Sequence, residues 1–136
     1  MTAIDLTQFD AAKLEEVREF KLKLPNGETH DQLVVGVRSR NSKDGLKDSY
    51  KKIDKRRREA AQMAREGKVY VEPLEDEVQE ALETCVSVTV YIQNGDVRYE
   101  TECDKRKFFE SYVWSRAQVI EHASDEDFFY GVEKTS

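Results

Sequence analysis

The hydrophobic period changes at Pro25-Asn26-Gly27, and no other feature constrains the fold of this chain as tightly. Upstream, Phe20, Leu22 and Leu24 alternate with Glu19, Lys21 and Lys23, the pattern of a strand with one buried face. Proline fixes φ and Asn-Gly takes the positive φ angles of tight turns, so the strand ends there. Leu33-Val34-Val35-Gly36-Val37 supplies a second strand. The expectation is an antiparallel hairpin from about Val17 to Arg38, within a segment covering 17–40, with a loop longer than two residues. Upstream of it, Ile4 to Glu16 carries Leu6, Phe9 and Leu14 and reads as a short helix or an ordered arm.

Beyond the hairpin the period becomes helical. Asn41 or Ser42 can accept from the first free amides of a helix, and Asp44 places a negative charge at its positive end. Leu46, Tyr50, Ile53, Ala60, Ala61 and Ala64 recur at helical spacing, with Arg57 inside that apolar stripe, and Gly67 supplies a stop. Pro73 followed by Glu75, Asp76 and Glu77 predicts a second helix, with Leu74, Val78, Ala81, Leu82 and Cys85 as its inner face. Its end is open. Val86, Val88, Val90 and Ile92 alternate like a strand, whereas Cys85, Val88 and Ile92 also fit a helical stripe, and local chemistry alone leans towards strand.

Asn94-Gly95-Asp96 reads as a turn and Val97 to Thr101 as a short extended connection, after which Asp104 can cap another helix. Phe108, Phe109, Tyr112, Val113, Trp114 and Ile120 form the richest aromatic cluster and the expected centre of the core. Ser124 can cap a last turn before Phe128, Phe129 and Tyr130. The reading is α+β and predominantly helical, an N-terminal β-hairpin followed by about three to four helices. At 136 residues it forms one domain, with a hairpin at 17–40, a helical body at 42–130 and a short polar tail at 131–136.

Charged residues make up 37% and hydrophobic ones 38%, so the surface is densely charged, yet six Phe, six Tyr and one Trp argue against disorder. The net charge of −6 is uneven. Lys43 to Arg58 holds eight basic and three acidic residues, and Glu72 to Ser136 sixteen acidic and six basic. Such blocks can steer a charged partner or hold one copy against another. No apolar run has membrane-spanning length and the first residues lack the layout of a secretion signal, so a cytosolic protein without membrane contact is expected.

The residues offer little chemistry. Nucleophilic catalysis usually needs a base beside the nucleophile, and His30 in a turn and His122 at a polar helix end read as solvated surface side chains. Cys85 and Cys103 lack the paired spacing of zinc ligands and read as buried or idle thiols. The acidic runs lack the alternating ligands and central glycine of a calcium loop, and no glycine-rich turn ends in Lys-Ser/Thr. No carboxylate pair stands out among twenty-eight acids. The expectation is a non-enzyme with no cofactor and no metal.

Two features could bind a partner. Lys51-Lys52-Ile53-Asp54-Lys55-Arg56-Arg57-Arg58 is a solvated helix face, a surface for acidic protein, or a phosphate-neutralising strip. Asp44, Asp48, Asp54 and Glu59 on the same helix, and the acidic whole, disfavour nucleic acid, which stays as the alternative function for the basic helix 43–58. Phe128-Phe129-Tyr130 either folds back on the core or forms an exposed apolar anchor. Lys51, Lys55, Arg57, Arg58, Phe128, Phe129 and Tyr130 are therefore the candidate partner-binding residues.

The order of these pieces, Phe20 to Gly27, Leu33 to Ser42, Leu46 to Arg65, Leu74 to Ile92, Asn94-Gly95-Asp96 and Phe108 to Phe129, resembles the tail assembly chaperones of long-tailed phages. There a strand, Pro-x-Gly, strand hairpin leads through a Ser-containing turn into a basic helix. An acidic helix, an Asn-Gly or Asp-Gly turn and an aromatic, acid-rich end follow. The chain departs from that pattern at Val90-Tyr91, where a Trp-containing helix end would stand. The resemblance implies helix from Glu75 to about Tyr91. It further implies a non-catalytic chaperone in the host cytoplasm, absent from the mature virion, that binds the tape measure protein, promotes assembly of the tail tube protein and self-associates by facing the basic helix of one copy with the acidic half of another.

Overall fold

Pro25 and its neighbours do end a strand. In a computed structural model that describes residues 2–131, β1 (Arg18–Lys23) pairs antiparallel with β2 (Thr29–Val37), with Phe20 opposite Val35 and a register shift between Lys21 and Lys23. The five-residue loop closes with the Leu24 amide on the Glu28 carbonyl and the Gly27 amide on the Leu24 carbonyl, both at 2.8 Å. Phe20, Leu22, Leu33, Val35 and Val37 are buried on one face while Glu19, Lys21 and Lys23 are exposed, as the alternation requires.

Ser42 caps α1 (Lys43–Arg65), its hydroxyl accepting from the Gly45 amide at 3.3 Å. Gly67, at φ +74°, ends it, and the Lys68 amide returns to the Met63 carbonyl at 2.8 Å. The apolar stripe, however, is not buried: Gly45 is the only buried residue of α1. The chain then forms α2 (Leu74–Val88), which runs straight into β3 (Thr89–Asn94). The helix expected to reach Tyr91 thus stops three residues early. Val90, Tyr91 and Ile92 are β-formers, and the far edge of β2 is free to pair with them: Val35 lies opposite Ile92 and Gly36 opposite Tyr91. At the junction the Lys105 ammonium takes the carbonyls of Val86 and Thr89 at 3.2 and 2.7 Å, satisfying groups that the ended helix leaves open.

β4 (Val97–Tyr99) is a strand where a plain connection was expected, and the sheet order is β1-β2-β3-β4. Thr101, not Asp104, caps α3 (Glu102–Ser111), its hydroxyl accepting from the Asp104 amide. A 3-10 turn at Val113–Ser115 leads into α4 (Arg116–Ser124). Asp125, not Ser124, caps α5 (Glu126–Tyr130). The N-terminal stretch forms two 3-10 turns, Thr7–Phe9 and Ala11–Glu15, of which Leu14 alone is buried. Of the polar tail, residues 132–136 lie outside the described residues.

The core is the inner face of the sheet covered by α2, α3, α4 and α5, not the aromatic cluster by itself. Phe108 and Phe109 belong to it, Trp114 and Ile120 pack at its margin, and Tyr112 and Val113 are exposed. His122 is not a solvated histidine: its ring stacks parallel on Phe20 at 3.9 Å and meets Phe128 edge-on at 5.3 Å. The exposed edge of β1 is guarded by Gln118 of α4, whose side-chain amide gives and takes a 2.8 Å bond with the backbone of Lys23, as a neighbouring strand would.

Candidate partner-binding surface

α1 and α2 meet along polar side chains rather than apolar ones. Lys52, little exposed, bonds Asp48 at 2.6 Å, the Glu80 carbonyl at 2.8 Å and the Thr84 hydroxyl. Arg56 joins Glu72 at 3.3 Å and Glu80, and Lys55 spans Asp76 at 3.7 Å and Glu59 at 3.8 Å. The Tyr70 hydroxyl donates to Glu59 at 3.0 Å, and burial, then that carboxylate, pushes its pKa up to about 12. Further along α2, Arg106 of α3 grips both oxygens of Glu83, and this bond holds the Glu83 carboxyl below its ordinary range. Each exposed pair contributes little, but Lys52 is shielded enough that loss of its three bonds would strand partners.

On one side of this helical hairpin an open groove of about 500 Å³ is lined from α1 by Lys47, Lys51 and Lys55, with Asp44 and Asp48 among them, and from α2 and α3 mainly by acids, Asp76, Glu83 and Glu102, with Lys105 beside them. Lys47 and Lys51 are exposed and make no ion pair among the described residues. Arg58 lies two turns beyond Lys51 on the same line, touching the Asp54 carbonyl at 3.4 Å. Lys51, Lys55 and Arg58 therefore share a face. Arg57 does not: it stands on the apolar stripe.

The C-terminal aromatics are elsewhere and turned inward. Phe129 is fully buried, while Phe128 and Tyr130 pack half-buried against the core, Tyr130 edge-on to Phe9 at 6.0 Å. Arg18 donates to the Phe129 carbonyl at 3.2 Å and Asn41 to Glu126 at 2.8 Å, clipping α5 down. The folded-back arrangement is the one found, and Phe128, Phe129 and Tyr130 do not form an exposed anchor.

Two arrangements carry no local mark in the sequence. The Lys52 network joins residues 32 apart, and only the run of lysines and arginines opposite a run of glutamates hints at it. On the outer face of the sheet, the Tyr91 ring lies over Gly36, its hydroxyl donates to Glu19, and the Arg98 guanidinium covers it at 4.0 Å. Burial, then Glu19, pushes the Tyr91 hydroxyl up to about 12.

Among the described residues, no three or more His, Cys, Asp or Glu side chains gather so as to hold a metal ion, and no helix is long and apolar enough to cross a membrane. Cys85 is buried, and burial pushes its thiol up to about 12, while Cys103 is exposed; both are free. What the surface offers is a two-walled charged channel along a long helix, suited to reversible contact. Comparison of the chain with models of protein families, with curated proteins and with solved structures finds no match.

Proposed function

We propose that the protein is a non-catalytic tail assembly chaperone of the long-tailed phage kind, which holds the tape measure protein and promotes assembly of the tail tube protein around it. One observation carries the reading: a 23-residue helix is fastened to its neighbour by ion pairs while Lys47 and Lys51 make no ion pair among the described residues, along a groove whose opposite side carries Asp76, Glu83 and Glu102. A groove that presents both signs of charge fits an elongated helical partner that displays both charges, through many weak contacts that later subunits can displace. The order of hairpin, basic helix and acidic helix supports the same reading. On it the protein works in the host cytoplasm, takes no part in bond chemistry and is left out of the finished virion.

The test is co-expression with a tape measure protein encoded beside it. The reading expects the tape measure protein to become soluble and co-purify, and the variant Lys51→Glu, Lys55→Glu, Arg58→Glu to lose it while keeping its helical circular dichroism. A wild-type chain that neither solubilises nor co-purifies with that protein overturns the reading. Tight binding of a DNA or RNA fragment at physiological salt, abolished by the same variant, would put a nucleic-acid regulator in its place; the acidic wall beside the lysines weighs against that.

A further inference from the structure

The stripe on α1 runs Leu46, Tyr50, Ile53, Arg57, Ala60, Ala64, with alternating steps of four and three residues, the spacing of a heptad seam. It lies roughly a third of a turn around the helix from the side that meets α2, at about 100° per residue. Among the described residues none covers it fully: Tyr50 is 60% and Ile53 39% exposed. On α2, Leu74 and Val78 are 74% and 54% exposed and extend the line of Ala81 and the buried Cys85. Ile53 and Ala81 line one groove of about 350 Å³ together with Ile120 of α4 and with polar neighbours that include Arg40, Arg56 and Glu77, so both apolar strips border the same side of the hairpin, opposite the charged channel. A two-helix layer with one apolar face is half of a bundle.

We propose that a second copy of this chain covers this face, α1 against α1 in antiparallel orientation about a two-fold axis level with Lys55, so that two helical hairpins close into a four-helix bundle. The seam itself selects this occupant. In that register Leu46 faces Ala64 of the second copy, Tyr50 faces Ala60 and Ile53 faces Arg57, so large side chains meet small ones in two layers and the third lays the arginine stem on an isoleucine. The Arg57 guanidinium then comes beside Asp54 of the second copy. Neither Arg57 nor the Asp54 carboxylate makes an ion pair among the described residues, and a two-fold contact satisfies both of them twice. An arginine inside an otherwise apolar seam is thereby accounted for. The inference does not depend on which partner the charged groove takes.

Sedimentation velocity of the full chain over a range of concentrations tests it. The expected result is a reversible dimer; Ile53→Asp raises its dissociation constant by about tenfold or more with unchanged circular dichroism. Arg57→Asp and Asp54→Arg each weaken it, and the two together restore it. In a Cys103→Ser background, Tyr50→Cys with Ala60→Cys yields a disulfide-linked dimer on oxidation, since those two positions of one helix stand about 15 Å apart and cannot join each other. A monomer at all concentrations, a dimer indifferent to Ile53→Asp, or a monomeric wild type whose capture of the tape measure protein is lost on Ile53→Asp each overturns the proposal, the last by giving the face to another protein. Capture lost only on reversing Lys51, Lys55 and Arg58 leaves the dimer standing.

Discussion

Two lysines one position apart on α1 play unlike parts. Lys52 is shielded and joins Asp48, the Glu80 carbonyl and Thr84, while Lys51 points into an open groove with no ion pair among the described residues. Lys52→Ala is expected to lower unfolding stability by about 1–3 kcal/mol, because it strands the carboxylate and carbonyl it served. Lys51→Ala should stay within about 0.5 kcal/mol of wild type. Urea unfolding midpoints at equal m-value measure both, and equal losses would show that the network adds nothing. Phe129 is a second residue whose role turns on burial. Phe129→Ala is expected to cost about 3–5 kcal/mol, the range for emptying a buried aromatic position. A variant of near wild-type stability that lost only partner capture would make it a contact residue instead. The sequence showed that Phe129 was apolar and near the chain end; it had no means of showing that Arg18 and Asn41, far upstream, fasten α5 over it.

At the scale of elements, what could be read locally was the hairpin and the two ends of α1. Alternation around Pro25-Asn26-Gly27, a serine at the cap and a glycine beyond the last turn are properties of neighbouring residues, and neighbouring residues decide turns and caps. The fate of Val86 to Ile92 was not decidable in this way. Helix and strand patterns overlap there: Val86 to Val88 stay in the helix, and the strand takes over at Thr89 because β2, far away in the chain, offers an unpaired edge. The stripe on α1 was legible as a pattern, but its exposure was not, since α2 reaches α1 through Lys52 and Arg56 instead. The pairing of β2 with β3 also sets Tyr91 on Gly36, where an added Cβ would come 2.6 Å from the ring. Gly36→Ala must push Tyr91 off, at a cost of about 1–3 kcal/mol. Tyr91 also has a pH signature. Its hydroxyl pKa is raised in the fold, so the neutral form's contribution is full below pH 10, the ordinary tyrosine value, and disappears as pH rises toward about 12. Stability measured across that window should fall less steeply in Tyr91→Phe than in wild type; identical slopes would remove Tyr91 from the account.

At the scale of the whole molecule, the helical hairpin has two sides that obey different physics, which makes the two proposals separable in one titration. Contacts in the Lys51 groove are Coulombic and lie in solvent, so they weaken as the screening length contracts from about 10 Å at 0.1 M salt to about 3 Å at 1 M. Contacts along the Leu46 to Ala64 seam are mostly apolar, and burial of apolar surface does not need an unscreened field. Raising salt over that range is expected to release a bound tape measure protein while leaving the dimer in place, with sedimentation and co-purification read on the same samples. The Arg57 and Asp54 pairs are the only ionic part of the proposed seam, so replacing both by Ala should leave a dimer with no salt dependence left to lose. If salt instead dissolves the dimer and spares the partner complex, the assignments of the two sides are exchanged: the charged channel holds copies of this chain together, and the heptad seam is the surface that grips the helical partner.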